Sequence, residues 1–225
     1  MAAPRFSAAP TRGFTLIELL VAISIMALMA ILGWRGLDGM SRAQVATQAR
    51  ADDVLTLQAA LGQWSADLDA IVQIPQTQAL DWDGRALRIT RRSSQPNDPG
   101  PLVVAWTRRA TGGSSGVWLR WQSAPVRSQN AWAAAWEAAA RWGQSGGTAE
   151  AGAGQAVRIA AALDWQLHYF RNNAWTNPLS SGAASGIETH TLPDGVRLFI
   201  TLAPGQALAG PLIVDWVRPD FGGAQ

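Results

Sequence analysis

Gly13, Phe14 and Glu18, in the run Gly13-Phe14-Thr15-Leu16-Ile17-Glu18, have the types and spacing that could do chemistry. The glycine closes a short polar leader. From 14 to 34 the sequence FTLIELLVAISIMALMAILGW carries Glu18 as its only formal charge. A secretory signal is cut after its apolar stretch. Here the small residue suited to cleavage precedes that stretch, so a cut between Gly13 and Phe14 leaves the apolar run on the mature chain. The same cut makes a new α-amino group at Phe14. A carboxylate in hydrocarbon is costly unless a cation or the water interface is near, and that amine is a cation of suitable size. Glu18 can pair with the amine of its own chain, pair with that of a neighbouring subunit, or snorkel to the interface alone.

Other candidates for chemistry are weaker. Gly112-Gly113-Ser114-Ser115-Gly116 satisfies the Gly-x-Ser-x-Gly pattern of a nucleophile elbow, which requires a strand before it and a helix after. Val117-Trp118-Leu119-Arg120-Trp121 reads as strand, so a hairpin loop is expected instead. His168, between Leu167 and Tyr169, and His190 are the two imidazoles, and neither is assigned a role. Asp81-x-Asp83-Gly84 begins like a calcium loop, but the later ligands are missing and a hairpin turn is expected. The absence of cysteine excludes thiolate catalysis, disulfides and cysteine-ligated zinc. No catalytic residue, metal ligand or cofactor is expected, and the chain does not read as an enzyme.

Charge points the same way. All 18 basic residues are arginine, and Arg5 and Arg12 fall in the leader, leaving 16 against 16 acidic residues from Phe14 onward. No arginine run exceeds two, and the acids are interspersed, so a phosphate-tracking surface is not expected and no nucleic-acid partner is predicted. The twelve tryptophans predict an indole-rich core with a few rings at interfaces.

The elements that position these residues follow from periodicity. A helix over 14–34 rises about 1.5 Å per residue and matches the roughly 30 Å hydrocarbon core. Arg5 and Arg12 before it favour a cytoplasmic N-terminus. Beyond it, Val54, Leu57, Leu61, Trp64, Leu68 and Ile71 recur in steps of three and four, one helix face. Asp52, Asp53, Gln58, Gln63, Asp67 and Asp69 are assigned to a wet opposite side. One helix is predicted from about Phe14 to Val72, stopped by Pro75, with its seam on the chain's own sheet. Gly33, Gly36 and Gly39 each cost about 1 kcal/mol relative to alanine and invite bending. From residue 80 the pattern changes to short strands at 80–82, 85–91, 102–108, 117–122, 164–171, 174–175, 196–202 and 212–218. An alanine-rich helix is predicted at 131–142 and a mobile Gly/Ala-rich loop at 144–155.

Gly13-Phe14-Thr15-Leu16-Ile17-Glu18 followed by an apolar helix resembles the class III signal of type IV pilins and type II secretion pseudopilins. That resemblance implies cleavage by prepilin peptidase after Gly13, N-methylation of Phe14 and a role for Glu18 in subunit docking. Val117-Trp118-Leu119-Arg120-Trp121, the segment 170–178 and Leu192-Pro193-Asp194-Gly195-Val196-Arg197-Leu198 are similar to the minor pseudopilin J of type II secretion. The family implies an α+β fold, a long N-terminal helix packed on antiparallel sheets. It also implies a tip complex with I- and K-like minor pseudopilins, contact with the major pseudopilin, and inner-membrane lipid around a single anchor. The expected organisation is a removed leader at 1–13, a transmembrane part at 14–34, a periplasmic helical part at 35–74 and a β-rich periplasmic domain at 75–225. The alternative is a minor pilin of a type IV pilus or DNA-uptake system that binds DNA or a glycan. Intact-mass measurement of the processed protein tests the first step: it should begin at Phe14 and be one methyl group heavier than the unmodified chain, whereas any other start excludes Gly13 as the cleavage point.

Overall fold

The computed structural model describes residues 13–95, 100–112, 115–144, 154–181 and 191–219. The leader up to residue 12, Ser114, most of the expected 144–155 loop (145–153) and His190 lie outside them. The chain divides into two compact units, one ending at Ala49 and the other starting at Arg50.

Helix α1 (Leu16–Asp69) begins in the first unit. Its backbone stays helical through Gly33, Gly36 and Gly39, and nothing lies within 4 Å of the Cβ position at any of them. The described side chains of this unit, from residue 13 onward, are exposed, including Leu20, Ile23, Met26, Leu28 and Ile31. The helix is long and apolar enough near its N-terminus to cross a membrane.

In the second unit α1 ends at Asp69, a few residues before the expected stop. The cause is competition from a strand. The Val72 amide donates to the Thr90 carbonyl at 3.0 Å, the Arg92 amide to the Ala70 carbonyl at 2.9 Å, and Ile71 bridges to Arg91. The backbone leaves its helix to extend a sheet, and Pro75 lies downstream of the real stop.

Among the described residues the strands form one eight-stranded antiparallel sheet. Its strands are β1 (Leu80–Trp82), β2 (Ala86–Arg91), β3 (Leu102–Gly112), β4 (Ser115–Ser123), β5 (Gly154–Arg171), β6 (Ala174–Thr176), β7 (Gly195–Leu202) and β8 (Gly210–Val217). The order is β1-β2-β3-β4-β5-β7-β8, with β6 also paired to β5. Every expected strand is present. β5 starts ten residues earlier than expected, with Gly154 and Gln155 paired to Ser123 and Gln122 rather than in a loop. Turn chemistry holds the hairpins. Asp83 Oδ1 accepts the Arg85 and Ala86 amides at 2.9 and 2.8 Å, Gly84 takes a positive φ of 89°, and Asp81 pairs with Arg88. Gly112 and Ser115 close the β3–β4 hairpin, so strands lie on both sides of the Gly-x-Ser-x-Gly run.

Strand alternation sends side chains to two faces. Val104, Trp106, Trp118, Leu167, Leu198 and Ile200 pack with Leu57, Ala60, Trp64 and Leu68 of α1. Val103, Ala105, Val117, Leu119 and Trp121 face the other way, onto Trp136, Ala139 and Trp142 of helix α2 (Gln129–Gln144). The expected 131–142 helix is thus a second cover on the sheet. Ser128 caps it by accepting the Ala131 amide at 3.2 Å, and Arg109 donates to the Trp142 carbonyl in its last turn at 2.7 Å. Gly143 permits the close approach, since a Cβ there would lie 2.5 Å from that of Ala86. A short helix, α3 (Pro178–Ser181), follows β6. Eight of the twelve tryptophans are buried, with Trp64 and Trp118 flanking Trp106 at ring distances of 5.3 and 4.8 Å.

One assignment from sequence is overturned. Asp67 is fully buried rather than on a wet side. Its Oδ1 accepts from Gln63 at 2.7 Å, from Arg120 Nη2 at 2.9 Å and from Arg91 Nη1. Its Oδ2 accepts from Trp106 Nε1 and Arg120 Nε, both at 2.8 Å. Asp69 is likewise engaged, accepting from Trp216 Nε1 at 2.8 Å. Removing one member of a buried ion pair leaves the others uncompensated and costs about 3–5 kcal/mol. Asp67→Asn should therefore destabilise the domain by about that amount in urea unfolding followed by tryptophan fluorescence; a loss below about 1 kcal/mol, the range of a surface pair, would contradict this reading.

Candidate functional site

The local sequence at the start of α1 builds a helix cap. Thr15 lies just outside the first helical residue, Leu16, and its carbonyl accepts the first helical bond, from the Leu19 amide at 3.2 Å. Glu18 sits three residues on, and its Oε2 accepts both the Thr15 amide at 3.0 Å and the Thr15 hydroxyl at 2.8 Å. The Glu18 amide points back to Thr15 Oγ1 at 3.4 Å. This reciprocal arrangement is a capping box, which satisfies donors that a helix start leaves without partners. The carboxylate also lies at the positive end of the helix dipole.

The cap answers part of the problem posed by a carboxylate in an apolar run. Three polar side chains, Thr15, Glu18 and Ser24, interrupt the stretch from 14 to 33, and each bonds within its own helix. Ser24 donates to the Leu20 carbonyl at 2.8 Å, a back-bond that removes the hydroxyl from the demand for water. Both Thr15 bonds fall on one carboxylate oxygen of Glu18, Oε2. Phe14 is 90% exposed and directly precedes the cap, so an α-amino group at residue 14 belongs to the same turn as the carboxylate. Glu18 thus has a partner besides the two amines the sequence suggested: Thr15, two residues before its helix neighbour Ile17. The signal for it was present in Thr-x-x-Glu ahead of an apolar run, and Thr15 is the residue that sequence reasoning passed over.

Gly13, Phe14 and Glu18 therefore lie together at one helix end, exposed. The remaining candidates gather into no site with them. His168 packs edge-on against Phe199 at 5.1 Å. Trp132 stacks on Trp136 at 5.2 Å, and Trp175 has the Arg197 guanidinium 4.2 Å above its ring. Among the described residues no group of three or more His, Cys, Asp and Glu is arranged to hold a metal ion.

Residues 9–34 match the family model of the prokaryotic N-terminal methylation motif, which spans Gly13, Phe14 and Glu18 and ends with the apolar run. Among solved structures, the chain is similar to one chain of the GspK-GspI-GspJ complex from the type 2 secretion system of enterotoxigenic Escherichia coli. The likeness has a TM-score of 0.47 at 13% identity and covers 74% of this chain and 97% of the other.

If the capping box holds the first turn, Thr15→Val should expose it while leaving later turns intact. Hydrogen exchange of the detergent-solubilised chain should then show faster exchange at the amides of Glu18 and Leu19, the two that bond to Thr15, by about threefold to thirtyfold, the range for a lost cap. Unchanged exchange there would exclude the cap as a contributor.

Proposed function

We propose that the chain is a minor pseudopilin of the type II secretion system, similar to J. It joins I- and K-like minor pseudopilins and the major pseudopilin at the pseudopilus tip to support export of folded proteins. The reading rests on one observation above all: the methylation motif occupies an exposed apolar helix start whose same helix, further on, supplies the core of an α+β domain. Such a chain is an assembly element, with a lipid-soluble end and a folded end.

Each proposed step has a physical reason. Prepilin peptidase cuts between Gly13 and Phe14, the new amine is methylated, and the part from 14 to 34 holds the subunit in the inner membrane with residues 35–225 in the periplasm. In lipid the exposed leucines, isoleucines and methionines need no protein partner. On assembly they trade lipid for neighbouring helices, whose association rests on packing and on polar contacts. Glu18 is held in one orientation by Thr15, so docking does not have to order it. A neighbouring subunit's N-terminal amine offers the cation that a buried carboxylate favours. The domain supplies recognition rather than catalysis.

The test is Glu18→Leu in cells carrying the partner pseudopilins. Insertion and processing should be unchanged, while co-purification with the partners should fall by at least about tenfold, as expected for truncating one member of a desolvated charge pair. Normal recovery of the partners would reject the docking role.

A further inference from the structure

The hub around Asp67 carries more positive than negative charge. Arg91 and Arg120 both pair with its carboxylate, and their side chains are only 5% and 13% exposed. Among the described residues neither guanidinium pairs with another carboxylate. One buried acid thus faces two largely buried bases, and an unbalanced charge held away from water is costly.

A cleft of about 250 Å³ opens beside this hub, lined by Arg91 and by Gln63, Ser93, Ser94, Gln95 and Gln122. Among the described residues no acid lines it. Ser94 and Gln95 are exposed, and Gln63, Ser93 and Gln122 are half-buried, so a ligand can reach them. Bonds to the hub and loop already use part of each group. Ser94 Oγ accepts from Arg91 Nη2, which leaves its own proton to donate. Ser93 Oγ accepts the Gln95 amide at 3.1 Å and keeps its proton likewise. Gln122 Oε1 accepts from Arg120 Nη2 at 2.9 Å, leaving its amide nitrogen as a donor. Gln63 is reversed: its Nε2 donates to Asp67 Oδ1 at 2.7 Å, and its Oε1 remains as an acceptor.

The cleft therefore offers several neutral donors, one acceptor and an unbalanced cation behind them. Water would satisfy the donors but bring no charge. A carboxylate has two oxygens for at least three donors, and for its carbon skeleton the walls add only Leu102 and Pro125. Neither an ionised carboxylate nor sulfate carries a proton for Gln63. A phosphate group near neutral pH has oxygens that accept, a P–OH that donates, and the charge that the hub lacks.

We propose that this cleft binds a phosphate group, either free or at the end of a phosphomonoester. Ser93, Ser94 and Gln122 donate to its oxygens, and Gln63 accepts its P–OH. Arg91 and Arg120 act through Ser94 and Gln122 rather than by direct contact. The assembly role of the N-terminal helix is not needed for it.

The experiment is calorimetric titration of the full chain in detergent micelles near neutral pH, with ionic strength held constant by sodium chloride. Inorganic phosphate, glycerol 3-phosphate and sulfate are titrated separately. One or both phosphates should saturate a single site, at least about tenfold more tightly than sulfate, which cannot donate to Gln63. The phosphate that binds more tightly identifies the source. Gln95→Glu puts a carboxylate at an exposed position on the cleft wall, so the fold should survive, and phosphate affinity should fall by at least about tenfold. Ser93→Ala removes one donor at the surface and should weaken binding by about threefold to tenfold. Circular dichroism checks that both variants fold. The proposal is overturned if neither phosphate binds saturably, if sulfate binds equally, or if Gln95→Glu or Ser93→Ala binds with unchanged affinity.

Discussion

The buried carboxylate of Asp67 is the constraint on which the domain depends. Apolar contact is non-directional, so the seam of Leu57, Trp64 and Leu68 would by itself tolerate sliding or rotation of α1 on the sheet. Asp67 removes that freedom. It draws donors from β2 through Arg91, from β3 through Trp106 and from β4 through Arg120, and Gln63 of its own helix completes the set. Three neighbouring strands are fixed to one point on one helix. The bond to Trp106 also orients the indole that lies between Trp64 and Trp118, so the polar hub and the aromatic core set each other's geometry. Burying such a group is expensive unless every lone pair is used, and here both oxygens are engaged more than once.

The two ends of α1 solve opposite solvation problems with the same backbone. Near its start, apolar side chains face outward and the few polar ones fold back onto the helix, as Thr15, Glu18 and Ser24 do. From residue 57 onward the apolar side chains face the sheet, and a charged one is admitted only with partners. The sheet needs a second cover because alternation puts Val103, Val117 and Trp121 on its far side. Helix α2 provides it, with alanines and Gly143 allowing close approach and Trp136 and Trp142 filling the remaining space. That arrangement explains the tryptophan content better than a stacking surface for bases or sugars would.

Much of this was legible in the sequence where a residue type acts locally. Alternation and turn residues located all eight strands, and the three-and-four spacing located the helix and its buried face. What was not legible depends on distant chain segments meeting. Asp67 stands one position from Leu68 on the helix, and nothing local distinguishes it from Asp52 or Asp53. Its burial follows from Arg91 and Arg120, 24 and 53 residues away. The first half of β5 is alanine-rich and has little strand preference of its own; pairing with β4 makes it a strand. Helix α1 stops at Asp69 because β2 offers its backbone a partner, a competition invisible in the segment itself. At the candidate site the case is reversed. Thr-x-x-Glu ahead of an apolar run is a capping signature that acts within four residues, so the local sequence carries it in full.

In the proposed assembly the apolar start of α1 exchanges lipid for the helices of other subunits. The chain has no cysteine, so a single photo-crosslinking residue or cysteine at Leu20, exposed on that helix, gives a background-free probe. In cells making the whole set of pseudopilins, position 20 should crosslink to pseudopilin helices, and those crosslinks should be lost when prepilin peptidase is absent. A mature chain in the membrane whose position 20 crosslinks to lipid alone, with all partners present, would contradict it.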